Sequence, residues 1–290
     1  MPSRIAFGRY LRPSLLLMGS LLLPSCQTGG VEPSSEPSLH RAWEEYGYQS
    51  FAAADRLFEA AGSQPGASKE LKLQSLLGRA FIVQHQMPRR DPARALAMYS
   101  SLLEQIGTDH PFGALILARQ ADCIIDLDPS RIQEARDGYE EAIRASPAGS
   151  LVGQETILRL TTTYMMQADT AGFREGLEVV DQYSPMIEGR ELAGVLHGLA
   201  SELAFFLGDL RRMALELERQ NQSGIRNIQV REKVLFQLAR LHDVEFNDPE
   251  RARHFYLALA DGVPSSVKAH YARLRAAELL HAGRLEPDRP

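Results

Sequence analysis

Asp248-Pro249-Glu250-Arg251-Ala252-Arg253-His254-Phe255-Tyr256-Leu257-Ala258-Leu259 is the stretch from which the fold can be read. An aspartate side chain accepts hydrogen bonds from the orphan N–H groups of a helix start. Proline at the first helical position gives up only a donor that has no partner there. The pair therefore opens a helix. Within it Ala252, Phe255, Tyr256 and Leu259 fall at i, i+3, i+4 and i+7, one apolar stripe. Asp91-Pro92 and Asp128-Pro129 open helices in the same way.

The stripe recurs along the chain. A residue that begins it, small in five of the six units, stands four before a large apolar one. The pairs are Ala54 and Phe58, Ala95 and Tyr99, Ala135 and Tyr139, Gly176 and Val180, Met213 and Leu217, Ala252 and Tyr256. Their first members are 41, 40, 41, 37 and 39 residues apart. Three before each lies Phe51, Pro92, Ile132, Phe173, Leu210 or Pro249. Seven after lies Ala61, Leu102, Ala142, Tyr183, Gln220 or Leu259, and only Gln220 breaks that apolar column. Self-similarity at such a period marks stacked helical hairpins, none of which buries its stripe alone.

The pattern resembles the tetratricopeptide repeat. In that family the second helix of each hairpin (helix B) carries a small residue near its start, an aromatic one turn on, another small residue, and a closing proline. Pro65, Pro111, Pro147, Pro185 and Pro264 take the last place here, with Gly224 in unit five. Helix A of the family carries a small-then-bulky pair, clearest at Gly78 and Phe81 and weaker at Ala118 with Ala121 and Ala239 with His242. The resemblance implies an all-α fold: a right-handed α-solenoid of about six hairpins over residues 39–281, then a tail, 282–290. Ser265 to Leu280 reads as a capping helix, with Val267, Tyr271, Leu274, Ala277 and Leu280 on its apolar side.

The start of the chain reads as an address. Arg4, Arg9 and Arg12 precede the apolar run Leu15 to Leu23, and no acidic residue comes before Glu32. Nine helical residues rise about 14 Å, short of the roughly 30 Å of a bilayer core, so residues 1–25 read as a signal peptide. The run ends in Leu23-Pro24-Ser25-Cys26, which resembles the lipobox of bacterial lipoproteins. That resemblance implies a covalent diacylglycerol on Cys26, a polar flexible tether over 26–38, and an envelope location. Gln27 points to the outer membrane, with the protein facing the periplasm.

Composition narrows the rest. The 290 residues are 44% hydrophobic and 24% charged, with a net charge of −5 that becomes −8 once the three leader arginines are removed. This balance excludes a disordered chain and argues against nucleic acid as a partner. Two cysteines exclude a disulfide scaffold and a four-cysteine zinc site. Cys123, among Ala121, Ile124 and Ile125, reads as a small buried hydrophobe. The eight histidines form no HExxH and no pair three or four apart, although His242 and His254 fall on opposite helices of one hairpin. No phosphate loop and no GxSxG motif is present. Glu44-Glu45 and Glu140-Glu141 are adjacent, so on a helix they diverge by about 100° and cannot share one substrate atom. The sequence therefore reads as no enzyme, with no cofactor beyond the lipid and no metal.

In the tetratricopeptide family helix A lines the groove that takes a partner. That resemblance places Arg79, Arg119, Asp122, Arg240 and Asp243 there, with Glu202, Phe205 and Phe206 in unit five. Alternating charge suits a protein or peptide strand. The function implied is a membrane-anchored scaffold for another envelope protein, by analogy with the lipoprotein subunit of the outer-membrane β-barrel assembly machinery. A helical-repeat lipoprotein accessory to small-molecule uptake is the second reading. A hydrolase is the third, and it lacks an acid–base pair.

Overall fold

The computed structural model describes residues 36–86 and 88–282. The signal peptide, Cys26, most of the tether and residues 283–290 lie outside the described residues. Among those described, thirteen α-helices follow one another and no strand occurs. They are α1 (Glu36–Gly47), α2 (Phe51–Gly62), α3 (Lys69–His85), α4 (Pro92–Ile106), α5 (Gly113–Leu127), α6 (Ile132–Ala145), α7 (Leu151–Gln167), α8 (Thr170–Ile187), α9 (Ala193–Phe206), α10 (Leu210–Gln222), α11 (Ile228–Arg240), α12 (Pro249–Gly262) and α13 (Val267–Ala282). No described helix is long and apolar enough to cross a membrane.

The chain divides into two compact units, one ending at Gln105 and the other beginning at Ile106. In the first, α2 packs against both α1 and α3, and Phe81 of α3 meets Tyr99 of α4 edge-on at 6.1 Å. In the second, the hairpins α5/α6, α7/α8, α9/α10 and α11/α12 follow in order and α13 lies on α12. Within this unit each even-numbered helix (helix B) also packs on the odd-numbered helix that follows it (helix A). Helices A touch along a row of their own, α5 on α7, α7 on α9, and α11 on α13.

The repeated columns form the core. Ala54, Ala95, Ala135 and Ala252 have no exposed surface, and neither do Phe58, Tyr99, Val180 and Tyr256. The small position of helix A works as its chemistry requires: a Cβ on Gly78 would land inside the ring of Phe58. The glycine lets α3 close on α2, and the aromatic fills the space that this leaves.

Asp91, Asp128 and Asp248 cap their helices as the sequence implies, accepting from the N–H groups of Arg94 (3.0 Å), Ser130 (2.9 Å) and Arg251 (3.0 Å). Behind Asp128 a 3-10 turn, Pro129–Arg131, leads into α6. Asp169 and Asp209 do the same for α8 and α10 without a following proline.

Four features depart from the sequence reading. Helix α1 starts at Glu36, inside the expected tether, with Pro37 in its first turn where no N–H is needed. Pro185 does not close its hairpin but sits inside α8, which runs two residues further before Gly189 turns at φ +69°. Helix α11 passes directly into a five-residue π turn, Leu241–Glu245. On α13 the buried face is Ala269, Ala272, Ala276 and Leu279. Val267, Tyr271, Leu274, Ala277 and Leu280 are exposed, Val267 by 90%. The alanine stripe allows close approach to α12, so proximity rather than side-chain size sets the buried face.

Candidate functional site

The polar residues of helices A are in large part wired to one another. Asp122 on α5 accepts hydrogen bonds from Arg119 (2.9 Å), from the Tyr139 hydroxyl on α6 (2.6 Å) and from Arg159 on α7 (3.0 Å). Arg119 is 1% exposed and also faces Glu155 at 3.8 Å. Burial alone would raise the Asp122 carboxyl. The guanidinium groups of Arg159 and Arg119 and the Tyr139 hydroxyl outweigh it and hold the carboxyl below the usual range. Arg119 and Asp122, expected in the groove, instead tie three helices together.

The same arrangement recurs at the end of the second unit. Asp243 of the π turn accepts two bonds from Arg275 of α13 (2.9 and 2.8 Å) and one from the Tyr256 hydroxyl of α12 (3.1 Å). The Arg275 bonds hold the carboxyl down. Arg275 is the ninth residue of α13, as Arg159 is of α7, so α13 stands in the register of a helix A. In the first unit Gln84 takes the acceptor role, receiving the Tyr99 hydroxyl at 2.8 Å. Where the helix B aromatic is a tyrosine, at Tyr99, Tyr139 and Tyr256, its hydroxyl meets a polar acceptor 13 to 17 residues away.

The other expected groove residues fall in three places. Arg79 lies in the first unit, half-buried, and donates to Asp55 of α2 at 2.8 Å. On α9, Glu202 is exposed and lies 3.5 Å from Lys233 of α11. Phe205 is 55% and Phe206 43% exposed, and Phe206 stacks on Phe173 of α8 with centroids 5.0 Å apart. Arg240 and Asp243 are brought together, on one open cleft of about 340 Å³ lined also by Val244, Tyr271, Leu274, Arg275 and Glu278.

The π turn supplies Asp243 and Val244 to this cleft. Its extra residue per turn shifts the side chains that follow relative to α11, and such bulges gather at functional sites. Neither proline nor glycine marks it in the sequence. Besides Val244 and Leu274 of the cleft, Val195 on α9 and Val267 on α13 are exposed apolar side chains on helices A. Phe236 joins α11 to α13, its ring 6.0 Å from Tyr271 and 5.5 Å from the Lys268 ammonium.

The remaining titratable groups are internal. Glu216 is fully buried and 2.7 Å from Nδ1 of His197. Cys123 is buried, and burial, then Asp122 and Asp126, push its thiol up to about 12. His242 is buried while His254 is exposed, and both rings border Phe255. Among the described residues no three His, Cys, Asp or Glu converge to hold a metal.

No family model matches the chain, and no curated protein does. Solved structures do match. The structure of pilF from Pseudomonas aeruginosa aligns over 83% of this chain and 96% of its own, at 14% identity with a TM-score of 0.52. A thermophilic TPR protein of Thermus thermophilus aligns over 85% and 99%, at 15% identity and a TM-score of 0.31. A tetratricopeptide repeat protein of Parabacteroides merdae aligns over 85% and 98%, at 13% identity and a TM-score of 0.37. With the hairpin columns above, the fold is all-α, a helical repeat of the tetratricopeptide type.

Proposed function

We propose that the protein is a non-enzymatic scaffold of the bacterial cell envelope, anchored by lipid at Cys26, that holds another envelope protein on the helix A row of its second unit. The exposed apolar side chains on that row carry the reading. Val195, Phe205 and Phe206 on α9, Val244 after α11, and Val267, Tyr271 and Leu274 on α13 are large apolar side chains left exposed on these helices. Glu202–Lys233 links α9 to α11 and Phe236–Tyr271 links α11 to α13. A protein partner fits this surface better than a small molecule. The cleft is open and rimmed by Arg240, Asp243, Arg275 and Glu278, whereas a small-molecule site wants an enclosed apolar pocket with a few convergent polar groups.

The anchor reading rests on Leu23-Pro24-Ser25-Cys26 and the polar stretch that follows. Several acyl chains, at about 0.8 kcal/mol per buried CH₂, would hold the protein firmly at a membrane. The outer-membrane, periplasm-facing placement rests on Gln27 alone.

One experiment addresses both parts. Cells fed labelled palmitate should label the wild type and not Cys26→Ser, which should leave the membrane fraction. A photo-crosslinking amino acid at Phe205 should yield one abundant adduct with an envelope protein, lost in the Cys26→Ser variant. Label persisting in that variant would refute the anchor. Crosslinks to lipid alone, or none, would refute the scaffold.

A further inference from the structure

We infer that the π turn Leu241–Glu245 is a proton-operated catch: uptake of one proton by His242 frees the turn and the start of α12 while the rest of the second unit stays folded. The catch belongs to the fold itself and works whichever partner the protein takes.

The ring sits where a charge is hard to keep. Helices α10, α11 and α12 all pack on the turn, and His242 is buried between two phenylalanines. Phe246 meets its ring edge-on at 5.3 Å, and Phe255 stacks on it at 5.5 Å. Neither ring nitrogen makes a hydrogen bond. From α10 comes Glu218, 3.5 Å from Nε2, and from the cap of α12 comes Asp248, 3.8 Å from Nδ1. Both carboxylates are engaged already. Arg251 of α12 holds Glu218 at 2.6 Å, and Asp248 accepts from the Arg251 backbone N–H at 3.0 Å. Along the chain, Arg240 and Glu245 are exposed and Asp243 is tied to Arg275. His254 lies exposed on the far side of Phe255. An imidazolium here must break the Arg251 pair or stay buried beside its charge, so the closed turn prefers the neutral ring.

The turn is also the weak part of its hairpin. It is closed by the wide bond from Phe246 N–H to the Leu241 carbonyl, 3.0 Å, and π geometry recurs where an element has to move. Asn247, just after it, holds a left-handed φ of +50°. The Asp248 N–H donates to the His242 carbonyl at 2.8 Å, so the backbone of His242 is joined to the cap of α12. A ring released into water binds its proton at ordinary strength, and acid then populates the open turn. Asp243 and Val244 follow His242 directly and line the cleft, so the catch carries acidity to that surface.

The test is amide hydrogen exchange of the lipidated full-length chain in detergent micelles. It is read by mass spectrometry at pH 7.5 and 5.5 and corrected for the intrinsic effect of pH on exchange. One proton with an ordinary value of 6.5 favours the open turn by at most about tenfold at pH 5.5. Exchange across residues 241–252 should therefore quicken several-fold on acidification, within that limit, while α5–α7 keeps its rate. His242→Gln should remove the change. Arg251→Met takes away the charge that opposes protonation of the closed ring, so it should shrink the acid effect. Arg251 is exposed, so this variant serves even if His242→Gln does not fold. Glu218→Gln should leave the effect at least as large. Equal quickening in His242→Gln, or an acid effect undiminished in Arg251→Met, would overturn the inference. So would quickening shared by the whole second unit, which is global destabilisation, or a change far above tenfold, which needs more than one proton. None of these outcomes touches the scaffold reading.

Discussion

His242 shows how a single side chain links acidity to stability here. It is 3% exposed, both ring nitrogens lack a hydrogen bond, and its ring stacks on Phe255 at 5.5 Å. Glu218 at 3.5 Å and Asp248 at 3.8 Å would welcome a proton, but Arg251 already holds Glu218 at 2.6 Å. Burial, then the Arg251 charge, keep the imidazole below its ordinary value near 6.5. The unfolded chain therefore binds the proton more readily than the folded one. Stability from the neutral ring is complete above pH 6.5 and falls as pH drops through the window beneath it. Urea midpoints should decline between pH 7.5 and 5.5, and His242→Gln should flatten that slope. An identical slope in the variant would assign the dependence to other groups.

At the scale of the element, the close approach of α2 and α3 sets two effects against each other. Replacing a mid-helix glycine by alanine ordinarily stabilises by about 0.5–1 kcal/mol. At Gly78 the new methyl would meet the Phe58 ring, and overpacking costs about 1–3 kcal/mol. The clash should win, so Gly78→Ala lowers the urea midpoint, and Phe58→Leu in the same chain recovers part of the loss. A stabilised single variant would show that the hairpin relaxes at no cost.

The helices themselves were legible because most units repeat one local rule: an aspartate cap, a small residue, a large apolar one a turn later. Ala135 and Tyr139 obey it and are buried to 0% and 3%. The groove was less legible. Arg119 and Asp122 are the right residue types on the right helix, but their partners Tyr139 and Arg159 lie 17 and 37 residues from Asp122. Which polar group spends itself on a neighbour depends on packing across hairpins, which spacing does not encode. The apolar stripe of α13 misled for a related reason. Alanines at 269, 272 and 276 carry little hydrophobicity, yet they permit the closest approach.

Across the whole molecule, stability should be a sum over neighbours. Within each unit the described hairpins pack on the helices beside them, as in other linear repeats. Local openings then differ in free energy from one hairpin to the next. The Asp122 bonds to α6 and α7 should make the α5–α7 region among the last to open.

That region carries its own clock. Cys123 lies in α5 beside Asp122, without exposed surface and with its thiol pushed up to about 12. Only a thiolate released by opening reacts with a disulfide reagent. With Cys26 replaced by serine, the rate of thiol modification therefore counts excursions of α5 away from its neighbours, with no probe introduced. Arg159→Ala, which strips one donor from Asp122, should quicken that count about tenfold or more, while Lys72→Glu should leave it unchanged. Equal rates in all three chains would mean that the clasp around Asp122 does not govern how often the hairpin breathes.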